Sequence, residues 1–188
     1  MVEEASIEIR SSKFDIRDMR FQPPTLNLQP STLIWAEGAD KAVGVSRFEL
    51  HPAEEFSIYT TPPSPAELRK ALEIARPKTV YVFAIPPAEE KPDDFLNRLA
   101  GLCKFTLNRR SGRATIQEFA AAMASREGAI EIGLQWLAAG GHLSVNVNDT
   151  EVTLSAEKPE ANPYLQAELI VALKGVLNET SAYRKYFT

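Results

Sequence analysis

Cysteine is all but missing from this 188-residue chain, with Cys103 the single example. One thiol forms no internal disulfide, so a cross-linked secreted scaffold is not expected and a reducing cytoplasm fits. Histidine is nearly as scarce. The two present, His51 and His142, lie far apart and have no carboxylates or thiols at ligand spacing, so a metal-dependent hydrolase centre is not expected. No apolar run approaches the ~18 residues of a membrane span. The opening Met1-Val2-Glu3-Glu4 lacks the basic and apolar regions of a secretion signal. Positive charge is not in excess either, with 21 Lys and Arg against 25 Asp and Glu for a net charge of −4. A protein held to nucleic acid by bulk charge would be basic, so such contact needs a local patch. The chain has no Gly-x-x-x-x-Gly-Lys-Ser/Thr loop and no Gly-x-Ser-x-Gly elbow. The turn Glu37-Gly38-Ala39-Asp40-Lys41 comes after an apolar run, but its two acids would repel a phosphate.

The composition that is present is ordinary for a globular protein, 44% hydrophobic and 24% charged, enough for one medium domain or two small ones. Residues 1–30 are expected to be a connecting segment. Ile7-Glu8-Ile9-Arg10 alternates like a short strand, and Pro23, Pro24 and Pro30 interrupt the stretch beyond it. Residues 31–90 predict a small α/β domain. Runs at 32–36, 56–60 and 79–85 are rich in branched and aromatic residues, as strands of a parallel sheet are. Between the last two, Ser64 is placed to cap a helix, Pro65 suits its first position and Glu67 would complete a capping box. Leu68, Ala71, Leu72 and Ala75 then share one helical face, ended by Arg76-Pro77.

Pro86-Pro87 and Glu89-Glu90-Lys91-Pro92 read as a linker, so a boundary is expected near residue 90. Residues 91–157 predict a winged helix-turn-helix domain. A first helix carries Phe95, Leu99, Leu102 and Phe105, with Asp93 and Asp94 at its positive end, and Ser111-Gly112 breaks it. Thr115 and Glu118 form a second capping box. Ser125 is placed to cap a third helix, lined by Ile130, Leu134 and Leu137 and stopped by Gly140-Gly141. Two alternating runs joined across Asn148-Asp149 then make a hairpin. Residues 158–188 predict a C-terminal amphipathic helix, with Leu165, Leu169, Leu173 and Leu177 at i, i+4 spacing. The fold class is thus α/β: a small parallel sheet domain, a winged helix-turn-helix domain and a C-terminal amphipathic helix.

No acid, base or nucleophile cluster emerges, and Cys103, inside an apolar helix, reads as a buried inert thiol. Candidate nucleic-acid contacts are Lys104, Arg109, Arg110 and Arg113, four cations close in sequence that can follow a phosphate backbone. Arg126 is a fifth, at the start of the third helix. The polar face of that helix otherwise offers Glu127, Glu131 and Gln135, which argues against duplex reading in a major groove. Trp136, beside Leu137, reads as core rather than as a stacking platform.

Read together, several strings resemble a known family. Leu33-Ile34-Trp35-Ala36-Glu37-Gly38 is one. Tyr59-Thr60-Thr61-Pro62-Pro63-Ser64-Pro65-Ala66-Glu67-Leu68-Arg69 and Val80-Tyr81-Val82-Phe83-Ala84 are two more. With the winged-helix segment and the ending Glu179-Thr180-Ser181-Ala182-Tyr183-Arg184-Lys185-Tyr186-Phe187, they are similar to the C-terminal region of bacterial RecJ proteins. These are single-strand-specific 5′ exonucleases of the DHH phosphoesterase family. The resemblance runs from about residue 30 to the end. It implies an accessory region without the catalytic core, in which manganese or magnesium is expected in the parent protein and no cofactor in this chain. No catalytic residue carries over, because the Asp-His-His and related motifs do not occur here. The implied partners are replication and repair proteins and single-stranded DNA, with a monomeric chain. Two other classes remain open: a winged-helix transcription regulator dimerising through the C-terminal helix, and a small-molecule enzyme using the α/β half.

Overall fold

The computed structural model describes residues 31–87 and 91–187. The expected connecting segment at 1–30, with its strand at 7–10, and the linker residues Glu89 and Glu90 lie outside the described residues.

The first half forms a three-stranded parallel sheet in the order β1-β2-β3: β1 Leu33–Trp35, β2 Glu55–Thr60 and β3 Thr79–Ile85. Helix α1, Pro65–Ala75, connects β2 to β3. Register pairs Leu33 with Phe56, Trp35 with Ile58, and Phe56 with Val80. Side chains alternate across a strand, so these apolar residues share one face. They form one core with Ala71 and Ala75, against which Leu68 and Leu72 pack. Trp35 and Phe56 stack with ring centroids 6.3 Å apart. Small alanines on the buried stripe let α1 approach these large rings closely. Ser64 Oγ accepts from the Glu67 amide at 3.2 Å, but the reciprocal half of the expected capping box is not made. The Glu67 carboxylate lies 3.3 Å from Arg47 Nη1 instead, drawn by a buried charge that outweighs a neutral amide.

The second half comprises α2 Pro92–Arg109, β4 Arg113–Thr115, α3 Ile116–Met123, α4 Glu127–Ala139, β5 Ser144–Asn148, β6 Glu151–Ser155 and α5 Pro163–Arg184. The predicted hairpin is β5–β6, and β4 adds to it as an unforeseen third strand, giving the antiparallel order β4-β6-β5. Thr115 and Glu118 make both halves of their capping box. Three expectations shift. Phe105 is exposed while Leu96 and Cys103 turn inward, because ten residues beyond Phe95 falls about 80° off its stripe. Arg126, not Ser125, is the N-cap of α4, and it makes no side-chain cap bond. Leu165 is largely exposed, since each i, i+4 step advances about 40° past a full turn and three steps carry it off the face of Leu177. The inward stripe of α5 is Ile170, Leu173, Val176 and Leu177.

That stripe packs along α4 and joins the core formed by Phe95, Leu99, Ile130 and Leu134, with Leu173 fully buried. The C-terminal helix is therefore part of the helical unit rather than an appendage. The two halves touch. The turn Gly38–Asp40 meets α3, and Arg126 donates from Nε to Pro63 O at 3.1 Å while its Nη1 lies 2.9 Å from Glu179 on α5.

Candidate nucleic-acid interface

Ligands of parallel α/β sheets commonly bind beyond the carboxyl ends of the strands. Just past β1, part of that region is taken by the protein's own Glu37 and Arg47. Glu37, just past β1, is buried, and its carboxylate accepts from Trp35 Nε1 at 2.9 Å and from the Arg47 amide and Nε at 2.9 and 2.8 Å. Arg47 Nη2 donates to the second carboxylate oxygen. Burial pulls the Arg47 guanidinium down, but hydrogen bonds to Glu37 and the charges of Glu37, Glu67 and Glu127 hold its pKa above the ordinary value. Thr60 and Thr61 complete the lattice: Thr60 Oγ1 accepts from the Glu37 amide at 3.0 Å, and Thr61 Oγ1 donates to Ala84 O at 2.7 Å. Glu37, the first acid of the 37–41 turn, thus serves folding.

The predicted cations divide. Lys104, Arg109, Arg110 and Arg113 are all exposed and are carried by different elements. Lys104 and Arg109 are five residues apart on α2, about 140° round the helix. Arg110, the C-cap, donates from Nη2 to Glu118 at 2.7 Å. Arg113 opens β4 and borders a cleft with Glu118 and Glu151. Burial tends to raise the Glu118 carboxyl, but the Arg110 hydrogen bond and the Thr115 amide lower its pKa overall. Arg126 is half-buried and tied to Pro63 and Glu179, so it is a brace between elements and not a free contact. Arg109 and Arg113 remain as exposed cations at the α2–β4 corner.

Lys104 faces another site. It lines a groove of about 660 Å³ along α2, with Leu96, Trp136, Leu137, His142 and Lys158 among its walls. Trp136 is half-buried at the edge of the core and stacks on His142, centroids 6.0 Å apart and planes 28° apart. A Cβ at Gly140 would sit 2.5 Å from Gln166 Nε2 and 2.8 Å from the His142 ring. The sequence held one hint, a lysine amid the apolar residues of α2, but its alignment with residues 136, 142 and 158 is a tertiary fact. Beneath the groove the Cys103 thiol is pushed up to about 12 by burial, which makes it inert.

His51 Nδ1 lies 3.1 Å from Glu49 O. Among the described residues no group of three or more His, Cys, Asp or Glu side chains is placed to hold a metal ion, and no helix is long and apolar enough to cross a membrane. Compared with known proteins, the chain matches no family model, no curated protein and no solved structure.

Proposed function

We propose that this chain is a non-catalytic accessory module of a RecJ-like 5′–3′ single-stranded-DNA exonuclease of DNA repair and recombination, which docks partner proteins and contacts single-stranded DNA. The order helix, strand, helix, helix, hairpin, with β4 paired to the hairpin, is that expected of a winged helix. The observation that carries the single-strand reading is the environment of α4, the helix that would enter a major groove. Its exposed positions are Gly128, Glu131 and Gln135, and α5 lies along another side. An acidic, half-covered helix is a poor duplex reader, whereas the exposed Arg109 and Arg113 suit a flexible phosphate backbone. The transcription-regulator alternative is weaker for a second reason, since Leu173 and Leu177, two of the α5 leucines that would pair two copies, are packed inside one.

Partner docking is supported by β3. It is an edge strand among the described residues, and Val82, Phe83 and Ile85 are 50%, 41% and 37% exposed. Such an edge accepts an extended segment of another protein by strand addition. The DNA half is tested by titrating labelled oligothymidylate at rising salt. Affinity should fall with salt, and Arg109→Ala with Arg113→Ala should flatten the slope by about 0.7 for each phosphate no longer neutralised. Absence of binding at low salt would remove the DNA contact and leave docking alone.

A further inference from the structure

We infer that the groove along α2 is a nucleotide site, in which Trp136 and His142 stack a base while Lys104 and Lys158 hold its phosphate. The inference rests on the single-strand contact proposed above and places it on a different face from Arg109 and Arg113.

The lining argues for this chemistry. Leu96, Leu137 and Leu143 give an apolar floor, which favours a flat, weakly hydrated group over a sugar or a free ion. The Trp136–His142 pair is a wall of aromatic rings, which is sequence-tolerant because every base has a π-face. Lys104 and Lys158 bring two cations to the walls. The acid in the lining, Asp93, stands eleven residues before Lys104, about 16 Å away along the helix axis. Lys104 thus stands well apart from that acid along α2. From Asp93 to Leu107 the lining runs along α2 for about 20 Å, longer than one mononucleotide, which favours a nucleotide within a strand. Gly140 leaves room for both the Gln166 side chain and the His142 ring.

The test uses intrinsic fluorescence. The chain has two tryptophans, and Trp35 is 1% exposed, so quenching by an added ligand reports Trp136. Oligothymidylate and thymidine monophosphate are titrated separately at low salt into the full chain and into Lys104→Ala/Lys158→Ala, His142→Ala and Gly140→Ala variants. The lysine variant alters exposed positions and should fold normally. Quenching by the oligonucleotide, weakened about tenfold or more without the lysines or the His142 ring, would support the site. Quenching by the mononucleotide but not the oligonucleotide would also support it, as a pocket for free nucleotides, while removing the DNA contact proposed above. Oligonucleotide binding without quenching and unchanged in all three variants would overturn the groove and leave the Arg109–Arg113 contact standing. Equal quenching by polyglutamate would overturn the base-stacking assignment and leave a bare anion site. No response to any ligand would overturn both readings.

Discussion

At the scale of single residues, Glu118 shows how one carboxylate can serve two structures. One oxygen accepts from the Thr115 amide at 2.8 Å, closing the cap of α3, and the other accepts from Arg110 at 2.7 Å. Its pKa is lowered in the folded chain. The carboxyl therefore holds its proton more weakly when folded than when unfolded. Its stabilisation is complete at neutral pH and is lost as pH falls through the lowered folded value. The side chain is 44% exposed, so solvent screens the pair and the effect is modest. We expect Glu118→Gln to lower the melting temperature at neutral pH and to make the acid limb shallower. Thermal melts between about pH 7 and pH 3 would check this, and an acid limb identical to wild type would reject the assignment.

At the scale of elements, the crossing of α2 and α4 depends on the absence of a side chain. A Cβ at Gly133 would sit 2.5 Å from Leu99 Cδ2 and 3.2 Å from Phe95 Cε1, and both neighbours are fully buried. Two effects oppose each other in Gly133→Ala. Helix propensity favours alanine by up to about 1 kcal/mol, while overpacking a tight core costs about 1–3 kcal/mol. The core has nowhere to yield, so overpacking should win. Urea unfolding is expected to show a lower midpoint with an unchanged slope, and a stabilised variant would mean that α2 and α4 are less closely packed than these distances imply.

At the scale of the whole molecule, Arg126 helps join the two cores, spanning three elements. Its partner Glu179 is 69% exposed, so that ion pair adds little. The bond to the Pro63 carbonyl matters more, because Pro63 is buried and an unsatisfied buried carbonyl costs about 1–3 kcal/mol. Arg126→Ala should raise hydrogen exchange in α5 and in the residues after β2 together, while leaving the β1–β2 interior protected. Exchange confined to α5 would show that the two halves are not braced through this residue.

Much of the fold is legible in the chain because the signals are local. Three branched, aromatic strands, the Ser64 and Thr115 caps and the hairpin turn, which falls at 149–150 rather than the expected 148–149, depend on neighbours within a few residues. The helical face of α1 comes from spacing alone. The inward stripe of α5 is misread from spacing because a strict i, i+4 series drifts round a helix, and only packing against α4 selects which residues are buried. Contacts distant in sequence are out of its reach: the pairing of β4 with β6, the Glu37–Arg47–Glu67 cluster and the meeting of Lys104 with Trp136, His142 and Lys158. The types of the candidate residues are written in the sequence. Which of them stand free and which brace the fold was decided by tertiary structure, since a cation's availability depends on carboxylates and carbonyls brought to it from elsewhere in the chain.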